Sequence, residues 1–208
     1  MGRCTSKLSQ EIDEDLPLAE HTFAISIKNA YEFLDFCGSG HYGVVFKAAS
    51  LSDRSKEFAI KKVNKELIKD PFELKREVSV LSKLHHRKII KIFETYEDVN
   101  YFYIVMQYCK GGTLYSKIRE QGYFSEKDAA KVLKQAIKAI RYLHRNGVCH
   151  RDIKPENFLF SSSNQNRLKL IDFSLFHKNG NWTRSMSEVV GTAYYITPEV
   201  IHELRYEM

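Results

Sequence analysis

The chain has 208 residues, 43% of them hydrophobic, 12% aromatic and 28% charged, with a formal net charge of +6. That length and apolar content allow a substantial core, in one domain or in two lobes sharing a cleft, and exclude a disordered or fibrous chain. No stretch approaches the roughly eighteen consecutive apolar residues of a membrane span. The four cysteines, Cys4, Cys37, Cys109 and Cys149, suit neither a zinc site nor a disulfide framework, which points to a reducing compartment.

The first thirty residues are polar, carry a turn signal at Leu16-Pro17 and read as a flexible leader. Residues 1–20 hold two basic and five acidic groups, so the rest of the chain is more basic than its average. Those Lys and Arg residues are interleaved with acids and form no run of five, which argues against nucleic acid as a partner. Met1-Gly2-Arg3-Cys4 lacks the apolar core of a secretory signal. Met1-Gly2-x-x-x-Ser6 instead fits N-myristoylation at Gly2, with Cys4 beside it for palmitoylation. A single myristoyl chain binds membranes only marginally, and acids outnumber Arg3 and Lys7. Cys4 would therefore supply the second signal for association with the cytoplasmic face of a membrane.

From Glu32 the pattern turns to short apolar runs. Phe33–Phe36, Val44–Phe46 and Phe58–Ile60 read as strands joined by turns. Between the first two lies Gly38-Ser39-Gly40-His41-Tyr42-Gly43, a GxGxxG run. A dinucleotide fingerprint would open a helix, whereas β-branched Val44-Val45 follows here, so the run reads as a hairpin over phosphates or as an ordinary hairpin turn. Phe58-Ala59-Ile60-Lys61 places a small side chain and a lysine on one strand face. Lys62 competes with Lys61 but falls on the opposite face from Ala59. Asp70-Pro71 starts a helix with Leu74, Val78 and Leu81 on one side and Glu77 placed to hold the lysine. Ile89–Glu94 and Tyr101–Met106 resume strand character, and Gly111-Gly112 breaks the chain. The clearest helix runs from Ser125 to about Arg145, with Val132, Leu133, Ala136, Ile137, Ile140 and Leu143 as its expected buried stripe and Asn146-Gly147 as its end.

The most specific stretch is His150-Arg151-Asp152-Ile153-Lys154-Pro155-Glu156-Asn157, followed by Asp172-Phe173-Ser174 and Thr197-Pro198-Glu199. On these residues the chain resembles the eukaryotic protein kinase family. Lys154 two residues after Asp152, and Gly191-Thr192 ahead of Thr197, resemble its serine/threonine branch. GTAYYITPEVI and YIVMQYCKGGTLYSKI look most like the calcium- and calmodulin-regulated group. With the acylation pattern, the likeness is to calcium-dependent protein kinases of protists and plants.

The resemblance implies an α+β, two-lobed fold. Residues 31–108 would form an antiparallel-sheet N-lobe with one helix, and 109–208 part of a mostly helical C-lobe. It implies ATP and Mg²⁺ as cofactors and a protein serine or threonine as substrate. Gly38–Gly43, His41 and Tyr42 included, would cover the phosphates, with Lys61 holding them while paired to Glu77. Val45, Ala59 and Leu159 would sandwich adenine, with Met106 behind it and backbone near Gln107–Cys109 bonding its edge. Asn157 and Asp172 would hold magnesium. Asp152 would accept the hydroxyl proton and Lys154 would steady the transferred group.

Several positions depart from the family pattern. Ser174 stands for a glycine, Thr197 for an alanine and Cys37 for an aliphatic residue. Thr113 occupies the place of a glutamate that recognises basic substrates. Thr183, Ser185, Ser187 and Thr192 are hydroxyls on the expected activation segment, and Thr192 is expected in a structural or substrate-side role rather than as a modification site. The family pattern continues beyond Met208 into helices that anchor the His150 backbone and pair Glu199. Without them the alternative reading is a non-catalytic, membrane-tethered nucleotide binder or interaction module. No Ca²⁺-loop pattern occurs in the chain.

Overall fold

Alternating apolar residues in the first half give each strand one face for each of two clusters. The computed structural model describes residues 26–40, 43–68, 70–163, 167–172, 177–178, 192, 194–196 and 198, with only the backbone described at Glu73, Glu77, His177 and Lys178. Among them, β1 (Tyr31–Gly40), β2 (Gly43–Ser50), β3 (Glu57–Asn64), β4 (Ile92–Glu97) and β5 (Tyr101–Gln107) form one antiparallel sheet in the order β1-β2-β3-β5-β4. Register sets Val45 opposite Lys61 and Ala59 opposite Met106, so these residues share the inner face. Val63, Phe102 and Ile104 of that face join the main core, while Tyr31, Ala48, Ile60, Tyr103 and Val105 pack on the outer face.

Helix α1 (Pro71–Ser82) starts where the Asp70 side chain accepts from the Phe72 N–H at 2.8 Å. Val78 and Leu81 are buried, and Leu74 packs beside them, against the inner face of the sheet. The strand expected at Ile89–Glu94 begins instead at Ile92 and runs to Glu97. Ile89 and Ile90 are buried, but their backbone joins the second half: Ile90 N donates to Leu170 O at 3.0 Å, and Leu170 N to Lys88 O at 2.8 Å. A short apolar run looks the same whichever strand it bonds.

The second half holds α2 (Leu114–Gln121), α3 (Glu126–Arg145) and the short strands β6 (Val148–Cys149), β7 (Phe158–Phe160), β8 (Leu168–Leu170) and β9 (His177–Lys178). Ser125 caps α3 by accepting from the Asp128 N–H at 3.1 Å. The expected stripe on α3 needs correcting. Ala136, Ala139 and Leu143 are buried against β6 and β8, but Leu133 is 59% and Ile137 53% exposed. At about 100° per residue Leu133 lies roughly 100° round the helix from Val132 and roughly 80° from Leu143, and Ile137 roughly 140° and 120°, so both turn away from those strands. No helix among the described residues is long and apolar enough to cross a membrane.

Candidate functional site

Strands β7 and β8 pair as an antiparallel hairpin, and the Ile171 N–H donates to Asn157 O at 2.9 Å just beyond it. That pairing brings the segment ending in Asn157 beside the segment leading to Asp172. The sheet then delivers its lysine: Lys61 Nζ on β3 lies 2.6 Å from Asp172 Oδ1, across 111 residues of sequence. Lys62, on the opposite face, sits 3.7 Å over the Tyr101 ring. Strand alternation therefore sends adjacent lysines to different environments.

Asp152 is held by three side chains of the cleft. Its Oδ1 accepts from Thr192 Oγ1 at 2.6 Å, and its Oδ2 lies 2.8 Å from Lys154 Nζ. Asn157 Nδ2 donates to the Asp152 backbone oxygen at 2.7 Å and to Oδ2 at 2.9 Å. Lys154 Nζ also donates to Thr192 Oγ1 at 2.6 Å, which closes a ring of three residues. Burial alone would raise the Asp152 pKa, but hydrogen bonds from Lys154, Thr192 and Asn157 outweigh it and hold the carboxyl below its ordinary range. Asp152 is thus ionised at neutral pH.

His150 supports this arrangement from below. Its Nδ1 accepts from the Asp152 N–H at 3.3 Å, so the proton sits on Nε2, which donates to Ile171 O at 2.9 Å. Burial pushes the imidazole pKa down and keeps it neutral. One ring thereby ties the Asp152 backbone to the residue before Asp172. Arg151 at φ 62° and Asp172 at φ 55° both occupy left-handed backbone, a strained conformation held by its surroundings.

The glycine run forms the ends of β1 and β2, with Gly38 opposite Val45, Ser39 opposite Val44 and Gly40 opposite Gly43. A Cβ on Gly40 would stand 3.8 Å from Asp172 Oδ2 and 3.9 Å from Lys61 Nζ, so the turn approaches the charged pair closely. Beneath it, Ala59 is buried, Met106 packs on the core, and Leu159 is half-buried and bridged to Thr113. The Gln107 N–H is already given to Lys91 O at 2.9 Å. That N–H is therefore not open to a ligand edge. Burial pushes the Cys109 thiol up to about 11, leaving it unreactive as a nucleophile. Thr113 caps α2, its side chain accepting from the Ser116 N–H at 2.9 Å.

The structure brings together Gly38, Ser39, Gly40, Gly43, Val45, Ala59, Lys61, Met106, Asp152, Lys154, Asn157, Leu159 and Asp172. Gly2, Cys4, His41, Tyr42, the Glu77 side chain, Ser174, Thr183, Ser185, Ser187, Thr197 and Glu199 lie outside the described residues. The sequence sets Thr192 apart from the other three hydroxyls as structural or substrate-side, without naming its partners. Its bridge to Asp152 and Lys154 depends on a contact across 40 residues of sequence.

Residues 31–208 match the protein kinase domain family. The chain belongs to that family. This kinase domain is similar to calcium/calmodulin-dependent protein kinase type 1 of Caenorhabditis briggsae, 36% identical over 183 residues, 87% of this chain and 51% of that protein. It is also similar to calcium-dependent protein kinase 4 of Plasmodium berghei, 38% identical over 177 residues, 83% of this chain and 33% of the relative. Calcium-dependent protein kinase 3 of Plasmodium yoelii yoelii is 38% identical over 165 residues, 79% of this chain and 30% of that protein. The kinase chain therefore spans about half the length of the first of these curated relatives and about a third of the others.

Proposed function

We propose that this chain transfers the γ-phosphoryl group of ATP to serine or threonine hydroxyls of proteins, in the branch of its calcium-regulated relatives. The observation that carries this reading is the ionised Asp152 carboxylate, held by Lys154, Thr192 and Asn157. The Lys61–Asp172 pair supplies the second charged centre of the same site. No observation favours the non-catalytic alternative.

In this reaction the substrate hydroxyl donates to the Asp152 carboxylate, which orients its oxygen toward the γ-phosphorus. The new P–O bond forms as the bond to the β-phosphate oxygen breaks, ADP leaves, and the hydroxyl proton passes to Asp152. Because its pKa is depressed, Asp152 contributes orientation more than basicity. Lys154, beside it, offsets charge on the transferred group. Lys61 turns its ammonium to phosphate oxygens, and the backbone of Gly38–Gly43 covers them.

The residues present fit a magnesium ion. Both amide-nitrogen bonds of Asn157 go to Asp152, so its Oδ1 would be the atom to hold the ion, and Asp172 would add carboxylate oxygens. Such hard oxygen donors, few in number, suit an ion that takes its other ligands from water and phosphate. When bound, the ion would screen negative charge on the phosphates.

Asp152→Asn tests the assignment. Phosphoryl transfer to a serine peptide should fall about 10²- to 10⁴-fold while ATP binding persists. Transfer at the parental rate would overturn it. We also propose that acyl groups on Gly2 and Cys4 hold the kinase at the cytoplasmic face of a membrane. Gly2→Ala should then move it from the membrane to the soluble fraction of cells, and an unchanged distribution would sink that part.

A further inference from the structure

Positive charge is concentrated on three segments that pack side by side. Residues 83–93 carry four Lys or Arg, residues 129–145 five, and residues 158–171 two, and none of the three contains an Asp or Glu. The structure joins them: Lys88 Nζ donates to Gln135 Oε1 of α3, the Leu168 N–H of β8 donates to the same oxygen at 3.1 Å, and His85 N donates to the Tyr142 hydroxyl at 2.9 Å. Lys169 Nζ reaches back to Ile89 O at 3.0 Å. Arg87, Lys138 and Arg167 are exposed around this junction.

Among the described residues, no carboxylate is among the charges that act on Lys88 or His86. Burial pushes the Lys88 pKa down, and the charges acting on it most strongly among the described residues are Arg87, Lys138, Arg167 and Lys169, all cations. His86, stacked on Tyr142, is likewise pushed down by burial and then by Lys88, Lys169 and Lys138. Mutual repulsion of this kind is a standing cost that an anionic partner would remove. The face uses none of Lys61, Asp152, Asn157 or Asp172.

The chain carries a matching anion. Residues 11–20, Glu11-Ile-Asp-Glu-Asp-Leu-Pro-Leu-Ala-Glu20, hold five acids and no base. We propose that this acidic stretch of the leader docks on the basic face of Arg87, Lys88, Lys138, Arg167 and Lys169. The reach is sufficient. Ile27 is buried beside Tyr31 in the outer cluster. From Tyr31 a track of rings leads toward the face: Tyr31 to Phe58 at 5.2 Å, Phe58 to Phe93 at 5.3 Å, and Lys91 Nζ 4.9 Å over Phe93. Lys91 is three residues from Lys88. Glu20 lies six residues before Ser26 and Asp13 thirteen, spans of up to about 20 and 43 Å in extended chain. Tethering makes the encounter intramolecular, so modest electrostatic attraction is enough to populate it.

Carbodiimide coupling, which joins a carboxylate directly to a contacting lysine, tests the proposal on the 1–208 chain. Mass spectrometry of the monomer should find Glu11, Asp13, Glu14 or Asp15 linked to Lys88, Lys138 or Lys169. The yield should fall several-fold in high salt and in the surface variant Lys138→Glu/Arg167→Glu. A leader variant, Glu11→Gln/Asp13→Asn/Glu14→Gln/Asp15→Asn, leaves the folded core untouched. It should raise the reactivity of Lys138 toward an acylating reagent several-fold while leaving Lys110 unchanged. Links only to other lysines, links only between two copies, or unchanged Lys138 reactivity would overturn the proposal. So would binding to phosphatidylserine vesicles through Lys138 and Arg167 with no internal link, which would assign the face to a membrane.

Discussion

A methyl group on Gly43 has nowhere to go: its Cβ would stand 2.0 Å from the Lys62 carbonyl oxygen and 2.9 Å from Val63 Cα, both backbone atoms of the neighbouring strand. Gly38, in the same loop, has nothing within 4 Å of the corresponding point. Gly43→Ala should therefore destabilise the domain by about 1–3 kcal/mol, because β2 must move from β3. Gly38→Ala should leave the melting temperature nearly unchanged, and equal losses from the two substitutions in thermal unfolding would refute this account. The motif alone does not rank its glycines, since the difference comes from a strand pairing 20 residues away. Lys61 against Lys62 was legible, because alternation with Ala59 separates them by face. For Thr192 a structural or substrate-side role was legible but its partner was not, because only the folded chain brings its hydroxyl to Asp152. Nor were the left-handed Arg151 and Asp172, whose residue types carry no signal for that backbone.

At the scale of elements, α3 shows where a pattern is sound and its width is not. The helix, its Ser125 cap and its Asn146-Gly147 ending follow from local chemistry, and each is observed. The buried stripe is narrower than the apolar residues suggest, because what a helix buries depends on how much neighbouring structure reaches round it. Leu143→Ala, at a position 1% exposed, should cost about 2–5 kcal/mol through lost contacts and the cavity left behind. Leu133→Ala, at a position 59% exposed, should stay within about 0.5 kcal/mol. Urea unfolding of both variants separates the two cases, and a comparable loss at Leu133 would show that the stripe is as wide as the sequence implied. The same limit explains β4. Ile89 and Ile90 are as apolar as a strand requires, yet β8 captures their backbone before the sheet does. Periodicity reports that a segment is buried, and the partner that buries it is set by tertiary pairing.

At the scale of the whole molecule, three histidines among the described residues couple stability to pH in one direction. Burial is the first cause at each, and it pushes His86, His144 and His150 below the ordinary value of 6.5. In the folded chain they stay neutral where the unfolded chain takes up protons. Their contribution is therefore intact above the unfolded value and is lost as pH falls below about 6.5. The lowered carboxyls of Glu97, Asp98 and Asp152 act later, since their stabilisation is present above the ordinary carboxylate range and disappears only as pH falls through it. The melting temperature should thus be level from about pH 8 to 7, decline from about pH 6.5, and steepen again below about pH 4.5. His86→Phe keeps a ring to stack on Tyr142, now 4.5 Å between centroids, while removing one titrating group, so it should shrink the first decline and leave the second. A melting temperature unchanged between pH 7 and 5 would contradict the burial of these histidines. A first decline of the same size in His86→Phe would place the proton uptake on His144 and His150, the latter being the ring that joins Asp152 to Ile171. In that case the two segments of the cleft would loosen together as the pH falls.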